Sequence, residues 1–462
     1  MTMASEAARP RLELRRSLGL WSAAALVISN MIGTGIFTST GFMAGDLGSA
    51  GIILAAWAVG AAFAFCGALT YSELAINHPQ SGGEYVYLTK AYGPSWGFMS
   101  GWVSFFAGFS APIAAAALAF SSYLSHFFPA LDQSRKLFVA GSGVLSFEVG
   151  GAQLAACSLI AAFTLLNCLR VELVAKVQNA LTSVKVVAIL GFILMGLLVG
   201  SGSWAHFSEP AVRTSTTPIA AQFLVSLLWV MVGYSGWNAA TYVAGEIREP
   251  SRTLPMALAV GTAVVAVLYL GLNVTFVYST PLENMKGVLG VGSLAASNLF
   301  GPGLAGVFSA LMALAIMSTV NAMVTAGPRV YYAMAQNRAF PAFAAKVDAR
   351  SHTPVLSVMA QGICSILMTF TSFPKLMVFV GFTLTIFTTL AVCSIFVFRR
   401  GNWQRLKSVS FAYPLIPLAY AALGTGMTVY GLVWQPKASF TALAMIGVGA
   451  AVYHFRYRPA SE

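Results

Sequence analysis

The chain has 462 residues, 58% of them hydrophobic and 9% charged, with a net charge of +12. Soluble domains carry about 25% charged residues, so this composition excludes a soluble globular protein and implies an integral membrane protein. A mean hydropathy of +0.77 points the same way.

About twelve apolar spans are predicted, each long enough to cross a hydrocarbon core of about 30 Å. They begin near Leu18, Gly51, Ser95, Gly151, Ala180, Pro218, Met256, Gly303, Thr353, Lys375, Phe411 and Ala438. The short alternating segments of a membrane β-barrel are not seen, so the spans read as helices. Residues 1–17 are polar and basic, with no apolar stretch ending in a cleavage site, and read as a cytoplasmic leader. Of the 26 Lys and Arg, about 19 fall on the side of the N-terminus and about 6 on the other, which satisfies the positive-inside rule with both termini cytoplasmic. The basic balance therefore reports orientation in a plasma (inner) membrane, not a nucleic-acid partner. All five cysteines (Cys66, Cys157, Cys168, Cys364 and Cys393) fall within spans, which implies no outer disulfide framework. The histidines show no metal-ligand spacing. No nucleophile–base cluster suggests an enzyme or a resident cofactor.

Two spans are interrupted by small and polar residues. The first holds "SNMIGTGIF", Ser29 to Phe37, and the sixth holds "VMVGYSGWNAATY", Val230 to Tyr242. Each glycine weakens a helix by about 1 kcal/mol relative to alanine. The two breaks occupy the first position of two successive sets of five spans, and because five is odd the second set enters from the opposite side. Such paired breaks point to an inverted-repeat transporter with its site near the midplane. Backbone groups freed in hydrocarbon cost several kcal/mol each unless satisfied. A small zwitterion satisfies both kinds: its carboxylate fits N–H groups at the positive end of a half-helix, and its ammonium fits carbonyls. Close helix packing also accounts for a lone pair of glycines; the matching break in the second half favours a ligand.

At these residues the chain resembles amino-acid permeases of the amino acid–polyamine–organocation superfamily, in the L-type amino acid transporter branch. The resemblance runs from about Leu14 to Arg400. It rests on "IGTGIF", on "YSELAINHPQSGGEYVYLTKAYG" from Tyr71 to Gly93, and on "SGWNAATYVAGEIREPSRTLP" from Ser235 to Pro255. It extends through "LNVTFVYSTP" from Leu272 and "STVNAMVTAGPRVYYAMAQNRAFP" from Ser318. It implies an all-α, LeuT-like core of five plus five helices over residues 18–400, with the first and sixth discontinuous, and two more helices behind it within 401–462. By the same resemblance the carboxylate site is the backbone of Gly33, Thr34 and Gly35. The ammonium site is the carbonyls near Met31 or Ile32 and near Val232 and Ser235, with Gly233 and Gly236 in the second break. Relatives often carry an aromatic cap where this chain has Val232, so either Tyr234 caps the substrate or the cap is looser. Trp237 and Asn238 are placed in the distal pocket, with helix packing an equal reading of Trp237.

Lys185 is the one basic residue within a span. A charge at the bilayer centre costs at least about 2.5–3.5 kcal/mol, and a fifth span starting near Val177 would put Lys185 about 12 Å in, too deep for easy snorkelling. The resemblance places such a lysine where sodium-coupled relatives hold a cation, with the carbonyls around Gly33 and the hydroxyl of Ser318 or Thr319 as partners. Either a tethered ammonium replaces sodium, or Lys185 carries the proton of a proton-coupled cycle. Glu73 and Glu246 read as solvated loop charge more readily than as an inner-gate pair with Arg248, Arg252 or Arg329. Asn273 and Thr275 line the pathway or bridge helices.

The expected function is sodium-independent transport of neutral L-amino acids by alternating access, with exchange as one mode. Apart from Asp46 and Glu73 near span ends, the spans offer no acid to pair with a cationic side chain, and no arginine for an anionic one. A proton-coupled amino acid or polyamine permease and a non-transporting nutrient receptor are the alternatives. Because relatives join a single-span glycoprotein through an outer-loop cysteine missing here, no disulfide-linked heavy-chain subunit is expected.

Overall fold

The computed structural model describes residues 14–140, 147–288, 290–371, 373–400, 412–434 and 436–457. Residues 1–13 of the expected leader lie outside these, as do Arg405, Lys407 and Arg458, which were sorted to the same side. The chain is helical almost throughout. The first span is split into α1 (Leu20–Met31) and α2 (Gly35–Leu47), followed by α3 (Ala50–Asn77) and a short α4 (Glu84–Tyr92). The third span runs as α5 (Pro94–Val103), a π-helical turn (Ser104–Ser110) and α6 (Ala111–Leu124). The π turn ends beside Pro112, which has no N–H to continue the regular ladder, and such bulges recur at functional sites. The strands β1 (Lys136–Ala140) and β2 (Phe147–Gly150) pair antiparallel and are tied by a Lys136–Glu148 ion pair at 2.9 Å. Then come α7 (Gly151–Asn167) and α8 (Val171–Leu198).

The second half repeats the pattern. The sixth span is split into α9 (Ile219–Tyr234) and a single turn, α10 (Ala239–Tyr242), and is followed by α11 (Pro250–Ser279). After α12 (Leu282–Met285) and α13 (Val291–Phe300), the chain forms α14 (Pro302–Gln336), α15 (Val355–Met368), α16 (Phe373–Arg400), α17 (Leu415–Trp434) and α18 (Pro436–Val452). Among the described residues, eight helices or helix pairs are long and apolar enough to cross a membrane; Gly151–Asn167, Ile219–Tyr234 and Val355–Met368 are shorter apolar helices at other expected spans.

The fifth span needs a correction. Its helix starts at Val171 rather than near Val177 or Ala180, because Arg170 is extended and Glu172 favours the first turn. Lys185 is thus the fifteenth residue of a 28-residue helix, at its middle.

The two broken spans pack directly on each other. A Cβ added to Gly35 would stand 2.7 Å from Gly233 Cα, and one on Gly236, whose φ is +95°, would stand 2.7 Å from Asn30 Cβ. Each break therefore needs glycine where the other approaches. Around this contact α3 and α11, the second helices of the two halves, pack along α9 and α1.

Candidate functional site

Between Met31 and Gly35 the helix ladder stops and the freed carbonyls find side-chain donors. Ile32 O accepts from Lys185 Nζ at 2.9 Å and from Thr319 Oγ1 at 2.6 Å. Lys185 Nζ also reaches Thr319 Oγ1 at 2.9 Å and Ser29 O at 3.4 Å. The lysine is fully buried, with 0% exposure, and joins α8 to the first break and to α14. Of the two hydroxyls proposed as its partners, only Thr319 meets it. Ser318 instead bonds Ser29 Oγ at 2.7 Å and accepts from Gln178 Nε2 at 3.0 Å. Gln178, one helical turn below Thr182 on α8, ties this polar cluster to Asn321.

Tyr269 of α11 joins the two breaks. Its hydroxyl lies 2.6 Å from Met31 O and 2.9 Å from Gly233 O. Sequence reasoning missed it; the only signal was one hydroxyl-bearing aromatic in an otherwise apolar stretch. In the second break Val232 O accepts from Ser235 Oγ at 2.8 Å. At the start of α2, by contrast, the N–H groups of Thr34, Gly35 and Ile36 have no acceptor among the described residues, whereas Gly33 N donates to Met31 O at 2.9 Å. Carbonyls are taken and amides are open, which is the polarity of an anion site at a helix N-terminus.

A cavity of about 70 Å³ lies against the second break, lined by Val232, Ser235, Gly236, Trp237 and Asn238 together with Asn30, Phe109, Pro112, Leu384 and Tyr420. From the first broken span only Asn30 reaches its wall; Met31, Ile32, Gly33, Thr34 and Gly35 do not. Gly233 and Tyr234 are turned away. Tyr234 is fully buried against Trp57 and Tyr269, with its hydroxyl on Trp57 O at 3.3 Å. Trp237 both packs and lines: its ring covers Gly67 and meets Tyr71 edge-on at 4.7 Å. Tyr420 places α17, expected behind the core, on the cavity wall. Asn273 bridges helices, accepting from Thr40 Oγ1 at 2.5 Å, and Thr275 bonds its own helix at Gly271 O.

Side-chain contacts flank the two breaks on both sides. At the N-terminal face Glu246 forms a buried ion pair with Arg329, its Oε1 2.6 Å from Nε. The Glu246 carbonyl accepts from Ser17 N and Leu18 N at 2.9 Å, which pins the start of α1. This overturns the reading of Glu246 as solvated loop charge: the short helical turn Ala244–Glu246 folds back under α14 and leaves no water around the carboxylate. Glu73 is buried too, held by Arg399 Nε and Nη2 at 2.8 and 2.6 Å. At the opposite end Phe42 stacks on Trp229 with ring centroids 5.2 Å apart.

A family description, amino acid permease, matches residues 18–452. The chain belongs to this family. The permease is 28% identical over 450 residues to the large neutral amino acids transporter small subunit 2 of Mus musculus, covering 95% of this chain and 81% of the relative. It is 30% identical over 414 residues to the serine/threonine exchanger SteT of Bacillus subtilis (strain 168), covering 88% of each. With the Asc-type amino acid transporter 1 of Mus musculus it shares 26% over 460 residues, 96% of this chain and 82% of the relative. The resemblance to the L-type branch therefore holds, and the permease has the LeuT-like fold in which two broken helices face opposite ways.

Proposed function

We propose that this permease moves neutral L-amino acids across the plasma (inner) membrane by alternating access and without sodium, exchanging one amino acid for another. In this reading the chain makes twelve crossings with both termini cytoplasmic, and the structure is the state closed at both ends. Bound substrate sets its carboxylate on the open amides of Thr34, Gly35 and Ile36. Its ammonium displaces the side chains now holding the carbonyls of Met31, Gly233 and Val232, and its side chain enters the cavity beside Trp237 and Asn238.

The observation that carries the sodium-independent part is the Lys185 Nζ on Ile32 O, Ser29 O and Thr319 Oγ1. A tethered cation already occupies the oxygen cage that a metal ion would need. The names of the relatives, a neutral amino acid transporter and a serine/threonine exchanger, support the substrate class. One relative is named a small subunit; with its cysteines in or at the ends of helices, this chain works without a disulfide-linked heavy chain.

Proteoliposomes loaded with serine test the reading. Labelled alanine, serine or leucine should enter at the same rate in sodium and in potassium buffer, and several-fold slower into vesicles without internal amino acid. Uptake that requires sodium, or that no neutral amino acid supports, overturns it.

A further inference from the structure

Glu84 opens α4 directly after Gly82 and Gly83, whose φ values of +125° and +52° turn the chain beneath α10. A Cβ at Gly83 would stand 2.6 Å from the Tyr242 ring. This close passage carries Glu84 into the interior, where it is 4% exposed. Its carboxylate accepts from Tyr71 Oη at 2.9 Å, from Asn238 Nδ2 and from the Tyr242 hydroxyl. Asn238 and Tyr242 also line the cavity, so one hydrogen bond separates the carboxylate from the cavity wall.

The groups that face Glu84 are Tyr71 from α3, Asn238 and Tyr242 from α10, Tyr87 from its own helix and Tyr420 from α17. None is a cation. On the elements packed around α4, Arg329 of α14 is paired with Glu246 and Arg399 of α16 with Glu73; α5 carries no titratable side chain. Lys90, at the far end of α4, bonds His78 and Gln80. A buried anion without a counter-charge is costly, and three neutral donors offset only part of that cost. Burial therefore holds the Glu84 carboxyl above the ordinary carboxylate range.

We propose that Glu84 is a proton-binding site of the permease, taking up a proton as the pathway closes over it and releasing it to water at the N-terminal face when that end opens. The proposal rests on the amino-acid transport reading and adds a coupled ion to it. The Tyr242 hydroxyl supplies the relay: it passes its proton to Glu84 and takes another from cavity water, ending neutral. The sign follows from burial. The closed state holds more protons than an open state in which water reaches the carboxyl, so closure is favoured as pH falls. An amino acid that closes the pathway binds more weakly as pH rises through the Glu84 titration. His78, held down to about 4 by burial and by Lys90, adds no step in that window.

The test uses the purified full chain. Alanine or leucine affinity should weaken about threefold or more as pH rises through the Glu84 titration for the wild type, and should be flat over the same range for Glu84→Gln, which keeps a buried amide in place of the neutral acid. In vesicles holding a pH dye and no internal amino acid, the slow net entry of alanine should acidify the lumen for the wild type and not for Glu84→Gln. Tyr71→Phe, which removes one donor to the anion, should shift the wild-type profile to higher pH and gives a second readout if Glu84→Gln fails to fold. A flat wild-type profile, an unchanged profile in Glu84→Gln, or an unmoved midpoint in Tyr71→Phe overturns the proposal. Net alanine entry with no proton movement would sink Glu84 alone, whereas absence of any amino-acid binding would sink the transport reading itself.

Discussion

At Ile32 the carbonyl freed by the broken helix accepts two donors, Lys185 Nζ and Thr319 Oγ1. Hydrogen bonds to a charged group contribute about 1.5–3 kcal/mol each. Lys185→Met should therefore slow exchange at least tenfold while the protein still folds, as read by vesicle exchange alongside thermal stability. Thr319→Val, which removes a neutral partner worth about 1 kcal/mol, should cost only several-fold. Tyr269 has one O–H for two carbonyls, Met31 O and Gly233 O, so its single proton is shared between the two breaks. Tyr269→Phe leaves both carbonyls unpaired until the ammonium of the ligand arrives and should tighten apparent affinity by about tenfold, measured as the concentration for half-maximal exchange. An unchanged value would mean that the bridge is incidental to the cycle.

The glycines of the first break differ at the scale of the helix, although they look alike in "IGTGIF". Gly35 abuts the Gly233 backbone at 2.7 Å, where nothing flexible yields, whereas a Cβ on Gly33 would meet only Thr319 Cγ2 at an ordinary 3.6 Å. Overpacking of this kind costs about 1–3 kcal/mol. Gly35→Ala should accordingly lower the melting temperature in detergent and abolish exchange, and Gly33→Ala should leave the melting temperature unchanged. Equal destabilisation by the two would show that the breaks do not touch as described. The same scale explains α8: Lys185 lies at the middle of an uninterrupted 28-residue helix, so its Nζ is delivered to the break without a break in its own helix.

For the molecule as a whole, the buried Glu246–Arg329 pair lies on one side of the breaks and the Phe42–Trp229 stack on the other, and the proposed cycle makes them its two gates. Removing one partner of a buried ion pair costs about 3–5 kcal/mol because the other charge is left uncompensated. Arg329→Met should therefore open the N-terminal end. In a cysteine-free background, Ser235→Cys on the cavity wall should react about tenfold faster with a water-soluble thiol reagent once Arg329 is replaced. No change in reactivity would assign the pair a purely structural role.

Hydropathy and paired glycine breaks made the membrane class and the LeuT-like repeat readable from the chain, because both are properties of local composition. A run of apolar residues must find lipid, and a glycine weakens a helix wherever it sits. The same local logic singled out Lys185, whose charge is conspicuous among apolar neighbours. It failed for Glu246 and Glu73, which read as solvated, and it did not single out Glu84; all three stand in or beside polar loop-like stretches. Only the folded chain brings Arg329 from 83 positions away onto Glu246, Arg399 onto Glu73, and Asn238 with Tyr71 onto Glu84. Sequence fixes which groups are costly to bury; the long-range packing of α4, α10, α14 and α16 decides which of them are buried, and with what.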